Sequence, residues 1–249
     1  MTELVHLEVA DGVATITLDS PQNKNALSQQ LTGELLEQLE AAGADELVRV
    51  IVVRSALDVF CSGADLSEAT TVGMGVGAQR MVDVQRAIVA NPKPVVARVA
   101  GAVRAGGIGI VAAADISIAG ESATFALTEV RLGLAAATIS LTVIPRLTDR
   151  AAAYTFLTGN GFDALEAARL GLLTLTVPDD DLDAAVDTVL EALLKGVPQG
   201  MHETKKLLNR DLLANIDANG KDLAELSASL FGSPVAQDAM RAFLNRRKS

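Results

Sequence analysis

Apolar positions along this chain recur with two different periods, and the switches between them mark out its elements. Residues 4–9 and 13–18 (LVHLEV and VATITL) alternate or are β-branched around Asp11-Gly12, which predicts a hairpin. Pro21 to Asn25 reads as a polar turn. Ser28 can then cap a helix running to about Asp45, in which Leu31, Leu35, Leu39 and Ala42 recur at helical spacing. Residues 50–53 (VIVV) have the unbroken apolar character of a buried strand, and a loop, FCSGADL, follows at 60–66. Residues 67–79, small and polar with Gly73, Gly75 and Gly77, read as a mobile connection. The helix after it should stop before Asn91-Pro92, because a residue preceding proline avoids the α region.

VVARV (95–99) predicts another buried strand and leads into AGGIG (105–109). IGIVAAA suits a buried helix and DISIA (115–119) a strand. From about Thr148 helical patterns take over, broken by Gly159-Asn160-Gly161, by LGLLTLTVP and by Pro198. The last 50 residues contain no clear strand, and no exact repeat or low-complexity tract occurs. Strands alternating with helices and followed by helices alone predict an α/β core carrying a helical tail. The boundary is set at 195/196, with a core over 1–195 and a helical region over 196–249.

Composition narrows the chemistry. Aromatics make up 3% of the 249 residues and Trp is absent, so Val, Ile, Leu and Ala must fill the core. Base-stacking nucleic-acid modules need aromatic platforms, and a net charge of −10 repels a polyanion. No nucleic-acid partner is expected. The lone Cys61 excludes an intramolecular disulfide, and with His6 and His202 the only imidazoles, no metal site is expected. The longest uncharged stretch, 132–145, has 14 residues, short of the roughly 18–20 that a spanning helix needs. The N-terminal MTELVHLEVADG is charged and lacks the long apolar run of a cleaved signal. The expectation is a soluble, cytoplasmic protein without membrane insertion.

Two glycine-containing turns stand out because each follows a buried strand. FCSGADL taken alone is an ordinary turn. AGGIG lets backbone approach closely and exposes N–H groups at a helix start, but its spacing is not that of a dinucleotide fingerprint. Together, two such turns about 40 residues apart could aim two amides at one oxygen, as an oxyanion hole does.

These blocks also carry a resemblance. VATITLDSPQNKNALS (13–28), VRVIVVRSALDVFCSGADL (48–66), KPVVARVAGAVRAGGIGIVAAADISIAGESATFALTEVRLGL (93–134) and LTGNGFDALEAARLGLLTLTV (157–177) resemble, in order and spacing, the enoyl-CoA hydratase/isomerase (crotonase) superfamily. The resemblance implies a spiral core of stacked ββα units, a helical C-terminal trimerisation region, and a homotrimer or hexamer. It implies an acyl-CoA thioester as substrate, with no further cofactor. The thioester carbonyl would be polarised by the N–H groups of Ala64 and Gly106. Fixed donors of this kind stabilise an enolate more than the neutral ester. Lys24, Ala26, Ser62, Gly63, Asp65, Leu66, Gly107 and Gly109 would lie along the thioester and its CoA. Lys24 falls where family members approach the CoA nucleotide, with Lys205 or Lys206 as a second cation.

Acid–base residues decide the reaction. The best-studied hydratases carry two glutamates. The second aligns with Glu129 in TFALTEVRLGL, and the first falls on Gly109. One carboxylate suffices to shuttle a proton between C2 and C4, whereas syn-hydration benefits from a second that orients water. Gly109→Glu, provided it folds, is therefore expected to add a water-orienting carboxylate, against the steric demand of a position that glycine occupies and the repulsion of two nearby carboxylates.

Where many relatives have a proline-glycine-rich turn, this chain has LGLAAATISLTVIPRL (132–147). Ala135, Ala136 and Ala137 read as an acyl-pocket wall or a helix start, with Thr138 and Ser140 available to a water. Arg104 replaces a small apolar residue and reads as an inter-subunit ion pair rather than an active-site cation. Asp65 reads as a helix cap, Asp115 as structural, and Cys61 as a small buried filler rather than a nucleophile. Absence of a GxSxG elbow disfavours a serine hydrolase. Three readings stay open: an enoyl-CoA hydratase/isomerase-type enzyme, a non-catalytic acyl-CoA-binding protein, and a thioester hydrolase or decarboxylase on the same scaffold.

Overall fold

The computed structural model describes residues 2–71 and 75–246. The hairpin forms as patterned: β1 (Val5–Ala10) pairs antiparallel with β2 (Val13–Leu18) around Asp11 and Gly12, both at positive φ (51° and 82°). Helix α1 (Gln29–Ala44) starts where Ser28 Oγ accepts the Leu31 N–H at 3.2 Å, and it buries Leu31, Leu35, Leu39 and Ala42. The buried runs become β3 (Val50–Ser55), β5 (Val95–Val99) and β7 (Ile116–Gly120). With β10 (Leu175–Val177) they complete a six-stranded sheet in the order β1-β2-β3-β5-β7-β10, parallel from β2 onward.

A second sheet runs β4 (Val59–Cys61), β6 (Ala102–Arg104), β8 (Thr124–Ala126) and β9 (Phe162–Asp163). Each long strand is thus followed within a few residues by a short one: β3 by β4, β5 by β6, β7 by β8. Helices follow the first two pairs, α2 (Leu66–Thr71) with α3 (Gly75–Ala90), and α4 (Gly106–Ala113). These are the stacked ββα turns, and the protein is of the α/β class. The short strands escape the hydrophobic pattern because two or three residues cannot display a period.

Of the connection expected to be mobile at 67–79, the described residues are helical rather than loop, and residues 72–74 lie outside them. Its flanks are helical: α2 is capped by Asp65, and α3 begins at Gly75, taking in Gly77. Gly73 lies outside the described residues. Helix α3 ends at Ala90, just before Asn91-Pro92.

Beyond the sheets come α5 (Ala137–Val143), α6 (Asp149–Thr158), α7 (Ala164–Leu170), α8 (Leu182–Leu194), α9 (Pro198–Gly232) and α10 (Pro234–Arg246). Helix α9 packs closely on α3 and α5. It buries Leu212, Ile216 and Ala224 in the main core and presses Gly220 against Val82. A buried ion pair fixes it: Lys205 Nζ lies 2.8 Å from Asp115 and also donates to the carbonyls of Ile88 and Lys93. Lys205 is therefore held inside the fold and is not the second CoA cation expected from the sequence. Lys206 is exposed and pairs with Glu203. Of the apolar positions along this tail, Leu223 packs partly against the core, while Leu226 and Phe243 reach solvent in the single chain.

Candidate active site

Because β4, β6 and β8 are parallel neighbours, their C-terminal ends share one edge. Three turns leave that edge, at residues 62–65, 105–107 and 127–129. Hydrogen bonds hold them together. Ala105 N donates to Ala126 O at 3.1 Å, Leu27 N to Gly63 O at 2.8 Å, and Ser62 N to Lys24 O at 3.1 Å. A methyl group on Gly63 would lie 3.1 Å from Cβ of Ala105, so the first two turns touch.

The glycines are there for room. Gly63 has φ +98°, a conformation L side chains rarely adopt. A methyl on Gly106 would sit 2.5 Å from Leu27 Cδ1, and one on Gly107 2.6 Å from Cys61 Cβ. Ala105 is the exception: an L-residue at φ 47°, ψ −119°, directly before the helix whose first residue is Gly106. Such a conformation costs of order 1–3 kcal/mol. The turns use the N–H groups of Ser62, Gly63, Ala105 and Ile108 internally. Those of Ala64 and Gly106 have no acceptor among the described residues, in keeping with the unsatisfied first turn of a helix at Gly106.

Glu129 opens a 3₁₀ turn, Glu129–Leu132, closed by Gly133 at φ +70°. Its Oε2 is buried and has no hydrogen-bond partner. Burial pushes the carboxyl up to about 7. The 3₁₀ turn it opens leads into a small apolar cluster, separate from the main core, in which Ala64, Leu66, Leu132 and Leu134 meet Leu230, Phe231, Ala236 and Met240.

Gly109 does not open onto a free cavity. It is buried in α4, where a Cβ would lie 2.6 Å from Ile139 Cγ2 and 3.3 Å from Gln85 Oε1. Gln85 is fully buried and satisfied: its Nε2 donates to the carbonyls of Met81 and Thr138, and its Oε1 accepts from Thr142 Oγ1 at 2.6 Å. The sequence reading missed Gln85, whose signal was one polar residue on the apolar face of MVDVQRAIV. Ser140 Oγ is spent on the Ala137 carbonyl at 2.6 Å.

The loop before α1 is organised by a residue the sequence did not single out. Buried Asn25 donates to Ser55 Oγ at 2.8 Å and to the carbonyl of Phe60, and accepts from Ser20 N at 2.7 Å. Beside it Lys24 is exposed at φ 58°, and Ala26 is buried. Asn23 ties the loop to the first turn, donating to Asp65 Oδ2 and accepting at its carbonyl from Ser62 Oγ. Asp65 caps α2 by accepting from Ser67 N at 2.9 Å. Burial acts upward on its carboxyl, but the bonds from Ser67 and Asn23 hold it below the usual range.

Arg104 donates to the carbonyls of Val103 and Thr124 and to Thr124 Oγ1, all in its own sheet. Cys61 is a buried filler: burial pushes its thiol up to about 12, against hydrogen bonds from Gly63 and Gly107, so it is no thiolate nucleophile.

Spiralling ββα turns with two glycine-lined amide turns and one buried carboxyl on a common edge define a class, and known proteins fall into it. The family model described as enoyl-CoA hydratase/isomerase matches residues 8–249. An enoyl-CoA hydratase from Mycobacterium avium has a solved structure that superposes with a TM-score of 0.91 at 43% identity, covering 99% of this chain and 98% of that one. An enoyl-CoA hydratase/isomerase from Xanthobacter autotrophicus Py2 superposes at 0.88 with 28% identity, covering 99% and 98%. Enoyl-CoA hydratase domain-containing protein 2, mitochondrial, of Mus musculus is 33% identical over 246 residues, 95% of this chain and 83% of that protein. The chain belongs to the enoyl-CoA hydratase/isomerase family. Among the described residues, no helix is long and apolar enough to cross a membrane.

Proposed function

We propose that this protein is an enzyme acting at C2–C3 of a fatty or branched acyl-CoA thioester. One observation carries the reading. The buried, unpartnered Oε2 of Glu129 and the two unaccepted N–H groups of Ala64 and Gly106 belong to turns leaving one sheet edge. The thioester carbonyl accepts from both amides, which stabilise the charge that gathers on its oxygen as C2 loses or gains a proton. Removing one such donor costs about 3–4 kcal/mol in related chemistry. Glu129 takes and returns the proton, and an acidity near neutrality suits it to both roles. This chemistry calls on no metal or redox group. Exposed Lys24 meets the CoA nucleotide, and Ser62, Gly63, Asp65, Leu66, Ala26 and Gly107 shape the thioester's path.

With Ile139 and Gln85 filling the space at Gly109, one carboxylate moves a proton between C2 and C4 and the double bond migrates. Hydration is the second reading, favoured by relatives described as enoyl-CoA hydratases. The working unit is a homotrimer or hexamer using the exposed Leu226 and Phe243 on the helical tail, and light scattering showing a monomer at micromolar concentration overturns that part. The buried single cysteine suits a cytoplasmic, reducing setting.

The test is a panel of enoyl-CoA esters read by product mass, with proton exchange at C2 followed in heavy water. Isomerisation leaves mass unchanged and hydration adds one water. Tight binding without exchange identifies a non-catalytic binder, and release of free CoA or carbon dioxide identifies a hydrolase or decarboxylase. Either result overturns the reading.

A further inference from the structure

The Glu129 site is closed on two sides by different kinds of packing. On the Cβ side of Gly106 lie Leu27 and Met81, with Leu27 Cδ1 at 2.5 Å and Met81 Sδ at 3.4 Å from where a Cβ would stand. Beneath α4, Ile139 fills the place beside Gly109. Ile139 and Met81 belong to the main core, and Leu27 packs against it. An acyl chain cannot extend that way without displacing core residues.

The other side is built differently. The small cluster that includes Ala64, and Leu132 and Leu134 just past Glu129, is closed by Phe231 at the end of α9 and by Ala236 and Met240 of α10. Ala236 and Met240 are fully buried, Phe231 nearly so. Helix α10 is set on this cluster by a fixed joint. Gln237 Nε2 donates to the Phe231 carbonyl at 2.8 Å, Ala236 N to Ser233 Oγ at 3.2 Å, and Val235 lies within 3.2 Å of a methyl's place on Gly133. A cluster held by one terminal helix opens at less cost than a contiguous core.

We propose that Met240 and Phe231 form the far wall of the acyl pocket and set the length of acyl chain the enzyme accepts. The inference rests on the thioester reading of the site. A chain leaving a carbonyl held at Ala64 and Gly106 runs past Glu129 along Leu132 and Leu134 and stops at these two side chains. They are specificity-determining residues and take no part in proton transfer. Met240→Ala removes about three heavy atoms from the end of that path and makes room for about as many carbons. Phe231→Leu opens it by less.

The experiment measures kcat/KM on trans-2- and 3-enoyl-CoA esters from short to long for wild type, Met240→Ala and Phe231→Leu. Reporting each profile as a ratio between chain lengths makes it independent of how much of a variant folds. The expected result is a shift toward longer chains, with the long-to-short ratio raised at least about tenfold in Met240→Ala and in the same direction in Phe231→Leu. If Met240→Ala gives no soluble enzyme, the Phe231→Leu shift carries the test. A uniform fall in activity with the wild-type ratio kept overturns the wall assignment alone. A wild type that turns over no ester overturns the thioester reading itself.

Discussion

A methyl group on Gly109 would lie 2.6 Å from Cγ2 and 3.0 Å from Cβ of Ile139. Real side chains do not come that close, so α4 and α5 meet here only because residue 109 is glycine. Its φ is not in the left-handed region, so the constraint is space rather than backbone angle. Gly109→Glu, expected from the sequence to gain hydration provided it folds, must first displace Ile139 and is expected to lose stability. Gly109→Ala is expected to lower stability by about 1–3 kcal/mol through overpacking. Combined with Ile139→Ala it should cost at least about 1 kcal/mol less than the sum of the single changes. Chemical denaturation of the four proteins checks this, and strict additivity contradicts the contact.

Glu129→Gln keeps the shape of the side chain and removes its acid–base function. Acyl-CoA affinity should stay near wild type while turnover falls at least about 100-fold. Calorimetric binding and steady-state kinetics on the same preparation separate the two. Undiminished turnover in the folded variant sinks the assignment.

Acidity near 7 at Glu129 has two consequences with defined signs. Where the ionised carboxylate abstracts the proton, kcat/KM should rise with pH and level off above about 7. Stability should move the other way. A carboxyl whose folded pKa lies above its unfolded value of 4.5 contributes stability that is full below 4.5 and lost as pH rises through about 7. Relative to Glu129→Gln, wild type should lose as much as about 3 kcal/mol between those limits. Denaturation curves for both proteins across that range measure it, and parallel pH profiles contradict a buried ionisable Glu129.

Ala105 sits at φ 47°, ψ −119°, where a Cβ is unwelcome. Ala105→Gly should relieve 1–3 kcal/mol of strain at the expense of up to about 1 kcal/mol of added chain entropy, a net gain of about 1 kcal/mol. Urea denaturation reports the sign. A loss of stability means that the turn is not strained at this residue.

Lys205→Met leaves the partly buried Asp115 with Asn209, a backbone amide and the more distant charge of Arg146, but without its direct partner at 2.8 Å. Breaking a buried pair from one side costs about 3–5 kcal/mol, so the variant should unfold at markedly lower denaturant concentration. A change below about 1 kcal/mol would place Lys205 at the surface, available to CoA after all.

The chain's own periodicities were enough to place the long elements. Hairpin, Ser28-capped helix, the buried runs at 50–53 and 95–99 and the helical tail are legible because each is set by near neighbours: turn chemistry, capping, or a repeat of 2 or 3.6 residues. The resemblance carried by the four blocks named the family, and with it Glu129 and the glycine turns. What the sequence could not decide was what stands next to what. The short strands β4, β6 and β8 are too brief to show a period, yet their parallel pairing brings residues 62–65, 105–107 and 127–129 to one edge. Gly109 read as the place of a missing carboxylate, with steric risk to any side chain, and only α5 showed that Ile139 fills the space. Lys205 read as a surface cation until α9 carried it onto Asp115. Gln85 and Asn25 looked like ordinary polar residues, and only burial turned them into the centres of hydrogen-bond networks. Local pattern fixes the elements because their energies are local. The site is a contact between distant segments, set by packing that no single stretch of the chain contains.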